Sequence, residues 1–476
     1  MHTPSLLTTT LAALALLAQA GLAQEAKPGP SPVTKAAPMP AAAAAQTKGL
    51  GLKDGDRFIF IGDSITHQCL YTQYVENFFY TRYPNIRLHF RNAGISGDRA
   101  QDALNRFDED IAAFKPTVAT VLLGMNDGTY KDFDKPTFDT YAKGMLELMD
   151  KLDALKCRVI LMSPTMFDHQ AWDIRTKEKP EYARGRVVTG YNGVLAYYGK
   201  WLQEVARERG YQFVDLFGPL NTLTVQERKK DPQFTLIADA IHPGNDGQLV
   251  MAYSLLQQVG ETGPVFGSGV KLVNGQWKPL APALVTDVKG NPGRSVTYTV
   301  TPKALPWTEF ADAPIGTKLT RAGHTASQES HIVAGLVNGR YDLRINGQYV
   351  GTWDERALSV HAELEEDTDS PTYQQAMKVI ELNRQRNKEA VNPLRGLWGK
   401  QKGMLNKRET DKAAYDAWQV EFKAKRAELD ALAEKLEGQI YQINQPQPLK
   451  VEVVPSSPAP AAKPQPQPAA AQKKAA

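Results

Sequence analysis

Phe58-Ile59-Phe60-Ile61-Gly62-Asp63-Ser64-Ile65 is a run of four apolar residues that breaks into Gly-Asp-Ser and then into a helical pattern. Four consecutive apolar residues bounded by a turn read as a strand buried on both faces. The same kind of run recurs at Val118–Leu123, Val159–Met162 and Phe213–Leu216, with helical stretches between. Strands alternating with helices in this way predict a parallel sheet covered on both faces, a three-layer α/β/α domain of flavodoxin-like type over residues 49–262. In an open sheet of that kind, whatever follows the C-terminal end of a strand borders the ligand crevice. Ser64 is therefore placed at the functional edge and at the start of a helix, where the helix dipole favours developing negative charge.

The chain has 476 residues, too many for one core, so further folded units are expected. Its 23% charged and 42% hydrophobic residues, with 16 Phe, 18 Tyr and 7 Trp, are ordinary globular composition. A net charge of only +4 argues against a nucleic-acid partner. The apolar run Leu11–Leu17 ending in Ala18-Gln19-Ala20 looks like a secretory signal peptide over 1–23, cleaved after Ala20 or Ala23. A periplasmic or extracellular protein without a membrane span is the expectation. Residues 24–48 are Ala, Pro, Lys and Gln and read as a linker.

From about Val265 the pattern changes to short alternating strands, including Val296–Val300 and Tyr341–Ile345, the latter followed by Asn346-Gly347 and then Gln348-Tyr349-Val350. Asn-Gly between alternating runs predicts a hairpin with a type I′ turn, and a small β-rich unit over 263–362. Helix formers dominate residues 363–445, where Tyr415, Trp418, Phe422, Leu429, Leu432 and Leu436 recur at helical spacing. Such a stripe is a packing seam, docked either on another part of this chain or on a second copy. Residues 446–476, rich in Pro, Ala, Gln and Lys, read as a disordered tail. Cys69 and Cys157 are placed at opposite edges of the sheet, too far apart for a disulfide, so two free thiols are expected.

Three more blocks accompany Gly62-Asp63-Ser64. Asn92-Ala93-Gly94-Ile95-Ser96-Gly97-Asp98 is a glycine loop that offers backbone N–H groups. Gly124-Met125-Asn126-Asp127 ends the strand Val118–Leu123, on the same edge as Ser64. Asp239-Ala240-Ile241-His242-Pro243 sets a carboxylate and an imidazole three residues apart, close enough to share a turn.

These four blocks, in this order, resemble the SGNH or GDSL hydrolase superfamily, and the resemblance spans residues 58–243. It implies a serine esterase that needs no cofactor, with Ser64 as nucleophile, His242 as general base and Asp239 orienting the imidazole. It also implies an oxyanion hole made by the N–H groups of Ser64 and Gly97 and the amide of Asn126. No G-x-S-x-G elbow is present, which disfavours the ordinary α/β-hydrolase. His67 is set aside as base because the blocks take theirs from the late His. Asp63 and Asp127 are expected to brace loops, and a side chain at Gly97 to crowd its loop.

His169, Trp172 and Tyr182, in loops after the strand end at Ser163, are candidates either to contact a substrate or simply to pack the loop. The histidines at 89, 169, 324, 331 and 361 show no metal-ligand spacing, so no metal is expected. The expected activity is removal of O-acetyl groups from a carbohydrate or envelope glycan. A lipase, lysophospholipase or thioesterase, and an idle glycan-binding scaffold, are the alternatives.

Overall fold

The computed structural model describes residues 48–183, 186, 188–308 and 311–456. The signal-peptide expectation and the tail beyond 456 lie outside the described residues, as does nearly all of the linker.

Five parallel strands, β1 (Arg57–Gly62), β2 (His89–Gly94), β3 (Val118–Leu122), β4 (Arg158–Met162) and β5 (Gln212–Val214), form the first sheet in the order β2-β1-β3-β4-β5. In-register pairing puts Gly62 beside Gly94 and Leu122, so three strand ends open on one edge. Helices Leu70–Arg82, Lys135–Ala154, Tyr191–Arg209 and Asn245–Gln258 cover the sheet, and Phe58, Phe60, Val121 and Leu161 are almost wholly buried. The α/β expectation holds. Cys69 and Cys157 are free, buried thiols.

The β-rich unit is two sheets around one core. β6 (Phe266–Val273), β7 (Gln276–Pro279), β10 (Glu329–Ala334) and β13 (Ala362–Glu363) pair in the order β13-β10-β6-β7. β8 (Val285–Lys289), β9 (Val296–Val300), β11 (Arg340–Ile345), β12 (Gln348–Asp354) and β14 (Leu449–Pro455) pair in the order β12-β11-β14-β9-β8. Asn346 and Gly347 take φ of 53° and 82°, as the predicted turn requires. The disordered tail expected from residue 446 is corrected here: Leu449, Val451 and Val453 are buried, and β14 lies between β9 and β11. Period-two alternation outweighs the proline-rich composition around it.

The helical region, chiefly Pro371–Arg386, Asn392–Leu405 and Lys412–Ile443, docks on the open side of β2. An edge strand leaves a row of backbone groups unpaired, and here helix side chains meet them. Arg386 Nη2 donates to the Phe90 carbonyl (2.7 Å), the Phe90 N–H donates to Glu437 (3.2 Å), and the Leu88 N–H donates to Tyr441 Oη (2.6 Å). Buried ion pairs Arg386–Glu76 (3.2 Å) and Arg395–Asp110 (2.8 Å) complete the seam. Phe422, Leu429 and Leu436 of the predicted stripe are buried within this chain.

Candidate active site

β1 ends at Gly62, and the Asp63 carboxylate caps the next helix by accepting the Ile65 N–H (2.9 Å), which presents Ser64 at the first helical position. Ser64 Oγ lies 2.8 Å from His242 Nε2, and His242 Nδ1 lies 2.7 Å from Asp239 Oδ2. The other Asp239 oxygen accepts the backbone N–H groups of Ile241 (2.9 Å) and His242 (2.6 Å), so residues 239–242 do share a turn. Burial alone would raise the Asp239 pKa, but the hydrogen bonds from His242 and Ile241 outweigh it and bring it down to about 2. A carboxylate ionised at neutral pH can only accept, so the proton of the ring sits on Nδ1 and Nε2 is free to take the serine proton.

The oxyanion candidates converge on the same edge. The N–H groups of Ser64 and Gly97 have no acceptor among the described residues. Asn126 donates one amide hydrogen to the Asp98 carbonyl (3.1 Å) and accepts from Tyr130 Oη (3.1 Å). Those two bonds fix which way the amide faces, and its second hydrogen has no acceptor among the described residues. The expectation that a side chain would crowd Gly97 is corrected: a Cβ there would meet nothing within 4 Å, and what favours glycine is its φ of +74°.

His67 is near the site in another capacity. Its Nδ1 accepts the Ser96 N–H (3.1 Å), and burial, with Arg395 and Arg106 nearby, pulls its pKa down to about 4. It is a neutral acceptor that ties down the loop carrying Gly97. Asp63 and Asp127 do accept backbone N–H groups, Asp127 from Ala100 (2.9 Å). Burial pushes both carboxyls up to about 7.

The substrate-loop candidates separate. Trp172 is 4% exposed and packs on Phe167, so it is a core side chain with no face to offer a sugar. Tyr182 is half-buried beneath the Arg175 guanidinium, 3.8 Å from ring to cation. His169 is half-buried, edge-on to Phe167.

Several supports were invisible in the sequence because their partners are far apart along the chain. Arg175 donates to the Asp239 carbonyl (3.0 Å) and stands 3.6 Å from its carboxylate. Asp168, held by Arg228 (2.7 Å) and Thr235 (2.6 Å), donates its N–H to the carbonyl of Ala240, a non-glycine residue at φ +74°. Asp98, beside Gly97, is buried between Arg106 (2.8 Å) and Lys402 (2.8 Å), so the C-terminal helices reach the loop that carries Gly97. Away from this edge, the fold gathers His324, Glu363 and Glu365, with all three candidate ligand atoms within 4.8 Å of one another, where spacing along the chain had suggested no cluster. His324 comes from a different element, which is why spacing gave no sign of it.

Residues 60–250 match the GDSL-like lipase/acylhydrolase family. An acetylxylan esterase of Geobacillus stearothermophilus is 25% identical over 229 residues, covering 43% of this chain and 94% of its own length. The solved structure of a gut microbial diltiazem-metabolizing enzyme is 26% identical, with a TM-score of 0.71, over 87% of this chain and 100% of its own. That likeness necessarily runs past residue 250 into the β-rich and helical parts.

Proposed function

We propose that this chain, a carboxylic ester hydrolase of the SGNH/GDSL superfamily, acts through an acyl-enzyme on Ser64 to remove O-acetyl groups from a carbohydrate. The observation that carries the mechanism is the relay Ser64 Oγ, His242 Nε2, His242 Nδ1, Asp239 Oδ2, closed at 2.8 and 2.7 Å. Serine at its ordinary pKa is a poor nucleophile, so His242 takes its proton as Oγ attacks the ester carbonyl. Asp239 holds the imidazole in the correct tautomer and stabilises the imidazolium that forms. The tetrahedral oxyanion is met by the N–H groups of Ser64 and Gly97 and the free amide hydrogen of Asn126. His242 then protonates the departing alcohol, and a water activated by the same imidazole releases the acid.

The acetyl preference is supported by the similarity to an acetylxylan esterase along 94% of that protein's length. Polar groups from Arg175 and Arg186 near the site suit an alcohol part that is hydroxylated rather than greasy. Export is proposed from the Leu11–Leu17 run and its Ala18-Gln19-Ala20 ending.

Hydrolysis of p-nitrophenyl acetate, butyrate and octanoate by wild type and Ser64→Ala tests the reaction, with acetylated xylan and diltiazem, a small acetate ester, as a second panel. Wild type is expected to prefer acetate and Ser64→Ala to lose activity by about 10⁴-fold or more. Activity rising with chain length would replace the deacetylase by a lipase-type enzyme. Ser64→Ala retaining wild-type activity would overturn the mechanism.

A further inference from the structure

His361-Ala362-Glu363-Leu364-Glu365 is an alternating segment through β13. Its extended backbone sends Ala362 and Leu364 into the core of the β-rich unit, where both are 1% exposed or less, and sets His361 and Glu363 on the opposite face, with Glu365 in the turn that follows. His324, from the short helix Ala322–Ser327, meets that face: its Nδ1 lies 2.8 Å from Glu363 Oε2. From the chemistry of these donors, we propose a divalent transition-metal site, best suited to Zn²⁺, with His324, Glu363 and Glu365 as ligands and a fourth position left to water.

Two features make this more than a cluster of polar groups. The first is the surrounding shell. Glu363 Oε1 faces away from His324 and is held by His361 Nε2 (2.7 Å) and Gln328 Nε2 (2.8 Å), leaving Oε2 toward the common point. Carboxylates that bind metals are oriented by such outer hydrogen bonds. The second is Glu365, which is 3% exposed and whose hydrogen-bond donors are backbone N–H groups, that of Glu329 at 3.1 Å. No cationic side chain pairs with it among the described residues, and a second carboxylate lies beside it. A cation bound there would offset the cost of burying two neighbouring carboxylates.

The site joins two parts of the fold. His324 follows the segment 312–321, which is bonded to the start of the helix after His242: Gly316 N–H donates to Asp246 (2.8 Å), and Asn245 donates to Asp312 (3.2 Å). A metal there would clamp this segment to β13, 39 residues further along. Its role is structural, and the acyl-transfer site holds its own groups independently.

The test is calorimetric titration of ZnCl₂ into the chelator-stripped full-length protein, with thermal unfolding followed with and without zinc. One equivalent should bind and the unfolding midpoint should rise by a few degrees. Glu365→Gln and His324→Gln should each weaken binding at least tenfold, and His361→Gln by about 10–100-fold. His242→Ala should bind zinc as wild type does, which separates this site from the catalytic histidine. Hydrolysis of p-nitrophenyl acetate by Glu365→Gln at 25 °C should stay within twofold of wild type. No stoichiometric binding by wild type would overturn the proposal, whatever the variants do. So would undiminished binding by the Glu365→Gln protein, or loss of binding in His242→Ala.

Discussion

Asn126→Ala removes one of the three donors proposed for the oxyanion, and its effect can be sized from the structure. The side chain makes two bonds to the protein, to the Asp98 carbonyl and from Tyr130, and keeps one hydrogen for substrate. Losing the third should lower kcat by about 10²–10³, or roughly 2.7–4 kcal/mol of transition-state stabilisation, with little change in KM. Losing the first two should cost about 1–2 kcal/mol of stability, because Asn126 is only half-buried and water can replace part of what is lost. Asn126→Asp is the sharper partner. It keeps the shape and the Tyr130 contact but turns a donor into a charged acceptor facing both the Asp98 carbonyl and the oxyanion, so it should fall below the alanine variant. Steady-state hydrolysis of p-nitrophenyl acetate, normalised by active-site titration and paired with urea unfolding, measures all three quantities. A kcat within threefold of wild type, a loss confined to KM, or an aspartate variant more active than the alanine would remove Asn126 from the oxyanion hole.

Gly97→Ala should fold with a penalty of about 1–2 kcal/mol, since there is room for the methyl and only the positive φ resists it; thermal unfolding measures this. Lys402→Met strips one of two cations from buried Asp98 and should cost about 1–3 kcal/mol in urea unfolding and lower kcat several-fold, because the Asp98 carbonyl carries Asn126. Asp63 and Asp127 have folded-state pKa values near 7, above their unfolded value of 3.8, so the stability they lend is full below pH 4 and lost as pH rises through 7. Unfolding midpoints from pH 5 to 8 should therefore decline more steeply in wild type than in Asp63→Asn, which retains the capping oxygen. Arg386→Met leaves Glu76 without its guanidinium and should cost about 3–5 kcal/mol, measured by urea unfolding.

The groups proposed to react were legible because each block is local: a strand end, a turn, and a carboxylate three residues from its imidazole. β1, β3, β4 and β5 were legible as apolar runs. β2 was not, because His89-Phe90-Arg91-Asn92-Ala93-Gly94 carries few apolar residues, its outer face being covered by Arg386 and Glu437 from nearly 300 residues away or more. β14 had the right alternation, but Pro and Gln on both sides suggested disorder. Trp172 was ambiguous for a similar reason: an aromatic in a loop reads the same whether it faces a ligand or, as here, Phe167. Arg175, Arg228 and Lys402 could not be assigned partners because each pairing closes a loop of at least 60 residues. Pairings at that range depend on the finished fold.

The place of β14 bears on how the protein is made. A ribosome delivers the chain from its N-terminus at about 5–20 residues per second, so some 150 residues, or roughly 8–30 s, separate the emergence of β9 from that of Leu449–Pro455. From its own emergence until then, each of β9 and β11 lacks the neighbour that will lie between them, and Tyr298, Val300, Leu343 and Ile345 belong to half-sheets with raw edges. Open apolar edges of this kind recruit one another between molecules. The second unit can therefore close only once Leu449–Pro455 has emerged, and any truncation that removes residues 449–455 should yield aggregates rather than a smaller enzyme.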